Sequence, residues 1–311
     1  MVKDSLGLLE VAGLLGAITA SDAMVKAANV RLIGIEKARG LGWMTVKVAG
    51  DVGAVEAAVQ TGVAITKGMT EGQSLEKALD MLPIDEIIKK GDKVIISPNG
   101  VKDKKPKDGV VSGPKTLKKL IEYVKKREPS EIYIAFGSGG TDSQKVLKTA
   151  GFDKIIEEEK VEFVDMNYGP FFELELDAPI LKSTPVNKVV EDADVIISLP
   201  KLKTHAMTSY TGAVKNLFGT IPGTYKAELH FRLNERKSFC SMLVDLHECV
   251  KPTLSIMDAV WGMEGNGPTA GQNRHIGLVM ASENAHALDL ASCYLIDYAP
   301  NEVDTVREAI E

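Results

Sequence analysis

The feature that most restricts the fold is the run Asp194-Val195-Ile196-Ile197-Ser198-Leu199-Pro200. Its apolar residues are consecutive rather than alternating, which predicts a buried strand ended by a proline. Comparable strands are predicted after Gly91-Asp92, over Glu131 to Phe136, Val161 to Asp165, Thr253 to Met257 and Ile276 to Ala281. Phe171 to Leu176 alternates apolar and acidic residues in strand fashion. Between the strands lie helical patterns at Ser74 to Met81, Lys115 to Arg127, Asp142 to Thr149 and Ala285 to Leu295. In the second of these, Leu117, Leu120, Ile121 and Val124 share one face and lysines the other. This alternation, from about Val63 onward, predicts an α/β domain with a mostly parallel sheet and helices on both faces.

In such a sheet, ligands sit past the carboxyl ends of the strands. The residues after Pro200 read as a polar loop holding Lys201, Lys203, His205, Thr208, Ser209, Tyr210 and Thr211, then Gly212, Lys215 and Asn216. Cations, hydroxyls and an amide in that place suit an anionic or carbonyl-bearing small molecule. Lys201, Lys203 and Thr208 would hold the anion. His205 is the foremost general acid/base, because imidazole titrates near neutral pH. Lys215, beside Asn216, would stabilise charge or grip the substrate.

Two further stretches follow predicted strands. Gly137-Ser138-Gly139-Gly140-Thr141 leads into a helix and could cradle an anion on backbone N–H groups. It lacks the Walker lysine and the dinucleotide fingerprint, and a plain strand-to-helix turn is the alternative. Asp258 and Glu264 flank what reads as a glycine-rich loop from 258 to 268. They would serve as base, metal ligands or partners of the lysines, or else as a capping Asp and a surface Glu.

The remaining histidines are less pointed. His230 stands among Tyr225, Glu228 and Arg232 as a surface residue would. His247, beside Glu248 in an amphipathic helix, reads as structural, and His275 and His286 fall near strand and helix ends. There is no H-x-x-x-H spacing, so spacing assigns no metal.

Composition excludes several classes. Forty-three acidic residues against 37 basic ones give a net charge of -6, which argues against a nucleic-acid surface. Cys240, Cys249 and Cys293 form no C-x-x-C pair, so neither a zinc ribbon nor an iron–sulfur site is spelled out. Reduced thiols of a cytoplasmic protein are the expectation. No signal-peptide pattern and no bilayer-length apolar run is present, so no membrane role is expected. At 311 residues the chain exceeds one small core and divides into domains at 1–62 and 63–311.

The first of these domains reads as a small α+β unit. Strands are predicted at Ser5 to Val11, Val30 to Ile35 and Trp43 to Val48, with Ala-rich helices at Gly13 to Ala28 and Val52 to Gln60. The segments SLGLLEVAGLLGAITASDAMVKAANVRLIGIEK and VAGDVGAVEAAVQTG resemble the shell-protein domain of bacterial microcompartments. That resemblance implies flat cyclic hexamers, partnership with other shell proteins and a place in a bacterial microcompartment. It assigns Lys26 to hexamer–hexamer edges, and Arg39, Gly40, Leu41 and Gly42 to the loop lining a central pore. The family's fourth strand and its proline- and arginine-containing tail are not visible after the second helix, so the module reads as truncated unless Val63 to Thr66 supplies the strand. A missing strand would leave an edge to be covered.

From about Val63 onward, GDKVIISPN, DVIISLPKLKTH, TGAVKNLFG, DAVWGMEGNGP and ALDLA resemble the family called domain of unknown function 362. Ser97 departs from the family's usual lysine before Pro-Asn, and the iron–sulfur module of many relatives is absent. A shorter likeness joins Gly212-Ala213-Val214-Lys215, Gly219 and His230 to the lysine segment of nickel-pincer lactate racemases. It implies a cofactor- or substrate-anchoring Lys215, with His205 and His230 as proton-transfer or metal residues. Nickel or another metal is therefore one cofactor option. The sequence leaves two functions open: a microcompartment protein whose shell-type module tethers an enzyme-like domain, or a non-catalytic shell component whose second domain binds a ligand or partner.

Overall fold

The computed structural model describes residues 5–12, 14–38, 43–66, 71–176, 178 and 180–310. The fold is α/β and divides into two units, Met1–Ser74 with Ile276–Leu278, and Leu75–His275 with Val279–Glu311.

In the first unit, β1 (Ser5–Ala12), β2 (Arg31–Lys37) and β3 (Trp43–Gly50) form a sheet of order β1-β3-β2 with antiparallel pairings. Period-two alternation decides which side is covered. Leu9 and Val11 of β1 lie opposite Val46 and Met44 in register and are buried, while Leu6, Leu8 and Glu10 are exposed. The covering helices, Leu14–Ala27 and Val52–Thr66, bury Ala17, Ala20, Met24, Val55 and Ala58, and such small side chains let them lie close to the sheet. The second helix passes through Gly62, a residue that costs a helix only about 1 kcal/mol. Val63–Thr66 is therefore helical and does not supply a fourth strand. Lys26 is exposed and pairs with Asp22 one turn earlier at 2.8 Å. Arg39, Gly40, Leu41 and Gly42, assigned to a pore loop from sequence, lie outside the described residues.

In the second unit the strands are β4 (Lys93–Pro98), β5 (Glu131–Phe136), β6 (Glu162–Asp165), β7 (Phe171–Glu175), β8 (Ser183–Asn187), β9 (Val195–Leu199), β10 (Lys201–His205), β11 (Ser209–Thr211), β12 (Leu254–Glu264) and the two ends of β13 (Gln272–Ser282), whose residues 276–278 fall in the first unit. The main sheet runs β11-β10-β12-β9-β4-β5-β6, with β13 beside β12; β7 and β8 make a separate hairpin. Along the path from β10 to β6 every pairing is parallel, and β11 pairs antiparallel with β10. Two stretches read as loops are strands: the polar residues after Pro200 begin β10, and Asp258 lies inside β12. Their backbones are satisfied by neighbours already in the sheet, which outweighs the poor strand propensity of Lys and Asp.

All five residues of β9 are buried, as its unbroken apolar run demands. The core joins β4, β5, β9 and β12 to Leu117, Leu120, Ile121 and Val124 of the helix Pro114–Lys125. Phe136, at the end of β5, packs its ring against Phe163 at 5.2 Å and edge-on to Phe152 at 6.2 Å. Among the described residues, no helix is long and apolar enough to cross a membrane. Because Phe136 is fully enclosed, Phe136→Ala is expected to cost about 3–5 kcal/mol, read from urea unfolding; a loss under about 1 kcal/mol would mean that this core refills the space.

Candidate functional site

Parallel pairing carries the carboxyl ends of β4, β9, β12 and β10 to the same side of the sheet, where their polar side chains meet. Lys201 lies in register with Asp258, and its Nζ sits 3.1 Å from Asp258 Oδ2. The two side chains are 1% and 0% exposed, so the carboxylate depends on protein donors. It has them: Gly113 N–H donates to Oδ2 at 2.5 Å and Val260 N–H to Oδ1 at 3.0 Å. This pair is structural wiring of the sheet.

Lys203, 2% exposed, has no carboxylate partner among the described residues. Its Nζ donates to Asn99 Oδ1 and to the Val110 carbonyl, both at 2.8 Å. An ammonium only donates, so it fixes the direction of the amides beyond it. Asn99 Nδ2 donates to Asn216 Oδ1 at 3.0 Å, and Asn216 Nδ2 donates to the Ser97 carbonyl and Ser198 Oγ, also at 3.0 Å. Burial, then the charges of Lys215 and Lys201, push the Lys203 amine well below its ordinary range.

Lys215 stands on the short helix Ala213–Asn216, whose start is held by Asp289. Asp289 accepts from Ala213 N–H at 2.7 Å, Val214 N–H at 3.1 Å and the Tyr210 hydroxyl at 3.1 Å. A Cβ on Gly212 would stand 2.2 Å from Asp289 Oδ1, so only glycine lets the chain pass there. Burial pushes the Asp289 carboxyl up to about 6, against the pull of those three donors. The Lys215 ammonium lies 5.1 Å from the Phe239 ring centre and 5.4 Å from that of Phe218, both attractive cation–π distances. Burial draws its pKa down to about 8.

His230 stacks on Phe239 at 4.5 Å and meets Phe218 edge-on at 5.4 Å. The residue as a whole is exposed, but desolvation of the ring against Phe239 and Phe218, then the Lys215 charge, bring it down to about 4. One turn earlier on the same helix, Gly223–Arg232, is Lys226, 5% exposed, which donates to the Gly137 carbonyl at 2.6 Å. A Cβ on Gly137 would come within 2.6 Å of Asn167 Oδ1 and 3.1 Å of the Lys226 amine, so a larger residue here would displace both side chains. Burial lowers Lys226 to about 7, with Lys215 lowering it further and Asp165 pulling the other way. His205 accepts from Met207 N–H at 3.1 Å and Thr208 N–H at 3.3 Å through Nδ1, which leaves its proton on Nε2. Burial, then Lys215, Lys203 and His230, hold it down to about 3.

Lys203, His205, Lys215, Lys226 and His230 thus form one electrostatic group, since Lys215 depresses each of the others. Other residues singled out from sequence sit apart from it or serve the fold. Thr208 is buried and donates to the Tyr210 carbonyl. Glu264 is exposed and pairs with Arg274 at 2.6 Å. Gly139 and Gly140 are exposed, and nothing lies within 4 Å of where their Cβ atoms would stand. Thr141 bonds Asp103, and Ser138 bonds the Val101 carbonyl. The helix Ser143–Ala150 is capped by its own Asp142, so its first turn already has an acceptor. Three contributors were not singled out. Asn99 had a signal, standing directly after an apolar strand, and so did Asp289, a lone acid in an Ala- and Leu-rich helix. Lys226 had none, being one lysine among many.

The chain belongs to the family described as Domain of unknown function (DUF362), matched over residues 94–294, and carries a BMC domain over residues 5–91 ahead of it. Thylakoid-associated protein sll1697 of Synechocystis sp. is 30% identical over 223 residues, 70% of this chain and 67% of that protein. Bacterial microcompartment shell protein PduK of Citrobacter freundii is 56% identical over 62 residues, 20% of this chain and 40% of that protein. The lactate racemase apoprotein of Thermoanaerobacterium thermosaccharolyticum is 16% identical over 73% of this chain and 55% of its own, with a TM-score of 0.48, below the level of a shared fold. The chain thus spans two fifths of PduK and little over half of the racemase.

The lowered amine of Lys226 has a consequence for stability. In the unfolded chain it stays charged up to its ordinary 10.5, whereas in the fold it loses its proton above about 7. Between these values the unfolded state holds the extra proton. Stability is therefore expected to rise with pH across that window, by up to about 1.4 kcal/mol per unit from this group, and to be lowest below it. Lys226→Met should flatten the rise, measured by urea unfolding over the same pH range; an equal slope in both proteins would refute the assignment.

Proposed function

We propose that this is a microcompartment-associated two-domain protein whose shell-type module tethers an α/β domain that binds an anionic or carbonyl-bearing small molecule. The observation that carries the reading is a set of amines, Lys203 and Lys226 buried and Lys215 half-buried, with no carboxylate paired to them among the described residues. Three mutually repelling amines are costly to keep, and an entering anion would offset that cost by raising all their pKa values together. In this reading Lys215 and Lys226 grip the anion, and Asn99, Asn216 and Lys203 form the polar wall behind them. His205 Nε2 and the His230 ring serve as proton donor and acceptor once bound charge restores their basicity. No metal or cofactor is assigned to this pocket.

The low values of the two imidazoles, about 3 and about 4, favour a second reading in which the domain binds its ligand without turning it over. The shell-type module supports the microcompartment assignment through its relationship to PduK, a shell protein by name. Exposed Leu6, Leu8, Leu32 and Ile33 give that unit the apolar surface expected of a self-associating domain.

Calorimetric titration of the full chain with pyruvate, oxalate and inorganic phosphate tests the pocket. At least one is expected to bind saturably, with Lys215→Met and Lys226→Met each weakening it about tenfold or more, the loss typical of a charged hydrogen bond. Binding equal to wild type in both variants would move the site elsewhere. Recovery of the bound anion unchanged after prolonged incubation would select the non-catalytic reading. Light scattering after size exclusion should give a hexamer; a monomer would remove the self-assembly part.

A further inference from the structure

We propose that His247, Glu248 and His286 form a binding site for a divalent transition-metal ion of the zinc class, separate from the lysine cluster. His247 and Glu248 lie in the last turn of the helix Arg236–Val250, and His286 in the first turn of the helix Ala285–Leu295. Glu248 Oε1 is 3.1 Å from His247 Nδ1 and 2.6 Å from His286 Nε2, and the imidazole centres are 4.6 Å apart. One ligand atom from each residue lies within 4.8 Å of the others. Zinc bonds to imidazole and carboxylate of about 2.0–2.1 Å put tetrahedral ligand atoms about 3.3 Å apart, so to close on an ion the Glu248 oxygen must draw back from the two rings while the widest separation, up to 4.8 Å, narrows.

The hydrogen bonding of the triad is a poor substitute for an ion. Both neutral imidazoles must aim their single N–H at the same carboxylate oxygen, which leaves the other nitrogen of each ring as a bare acceptor. His247 Nε2 and His286 Nδ1, the nitrogens turned away from Glu248, are both buried without a partner and would carry the ring protons once an ion held the inner nitrogens. His247 is only 7% exposed, so water does not readily relieve it. Two half-satisfied rings turned onto one oxygen are costly in a packed helix end, where apolar residues would be more stable.

Two imidazoles and one carboxylate, with no thiolate in the set, select a borderline ion such as Zn²⁺ over Mg²⁺ or Ca²⁺. Glu248 is 55% exposed, so the fourth position opens to water and the ion can exchange. The site would also link two helices that matter elsewhere. Asp289, which positions the Lys215 segment, is one turn beyond His286 on the same helix, and Phe239 lies on the helix of His247 and Glu248.

The test uses the untagged full chain, stripped with chelator and then dialysed against Zn²⁺, with zinc counted by elemental analysis. One zinc per chain and a higher Tm are expected. Glu248→Gln, exposed enough to leave folding intact, and His286→Asn should each weaken zinc binding at least tenfold, whereas His275→Asn should not. The proposal is overturned if the wild-type chain retains no stoichiometric zinc, or if Glu248→Gln and His286→Asn retain as much as wild type. Co²⁺ gives a second readout that does not depend on stability: its visible absorption should appear with the wild-type chain and be lost in Glu248→Gln.

Discussion

The second domain depends on how the buried Asp258–Lys201 ion pair is accommodated inside a sheet. Taking both charges out of water costs several kcal/mol per ion, and their attraction recovers this only if every remaining polar atom is satisfied. Here the carboxylate also accepts from Gly113 and Val260, so one group fastens β12, β10 and the entry to the helix Pro114–Lys125. With β10 held in this way, Lys203 is committed to the interior two residues later. Its donor-only head then sets the order of Asn99, Asn216 and Ser198 across the tops of β4 and β9. A wall of fixed polarity follows from one compensated charge.

The lysine cluster obeys different rules. Lys203 and Lys226 are satisfied by amide and carbonyl oxygens, and Lys215 lies against aromatic faces. Carbonyls and rings solvate a cation without neutralising it, so the positive potential is kept. Asp289 completes the arrangement from behind, spending its acceptor capacity on the Lys215 segment's backbone and on Tyr210.

Much of the fold was legible in the sequence because local pattern and tertiary need agree there. The uninterrupted run before Pro200 could only be a covered strand, and helix Ala285–Leu295 has the bounds its pattern predicts. The stretches misread as loops show why the rest was hidden. Lys201, Lys203 and Asp258 look solvated until partners distant in sequence are known, and no local signal reports a partner fifty-odd residues away. The same limit hid the triad, since His247 and His286 share no spacing motif and meet only because two helix ends do. Lys215 and His230 were visible by type and by their neighbours, whereas Lys226 acquires its character entirely from the Gly137 carbonyl and from burial.

The part-titrated state of these amines has one more consequence. With Lys215 near 8 and Lys226 near 7, the cluster carries only part of its possible charge at neutral pH. An anion entering it would complete that charge by drawing protons from solvent, so occupancy and proton uptake become one event. On the proposed reading, the cluster would take its anion more readily wherever its surroundings turn acidic.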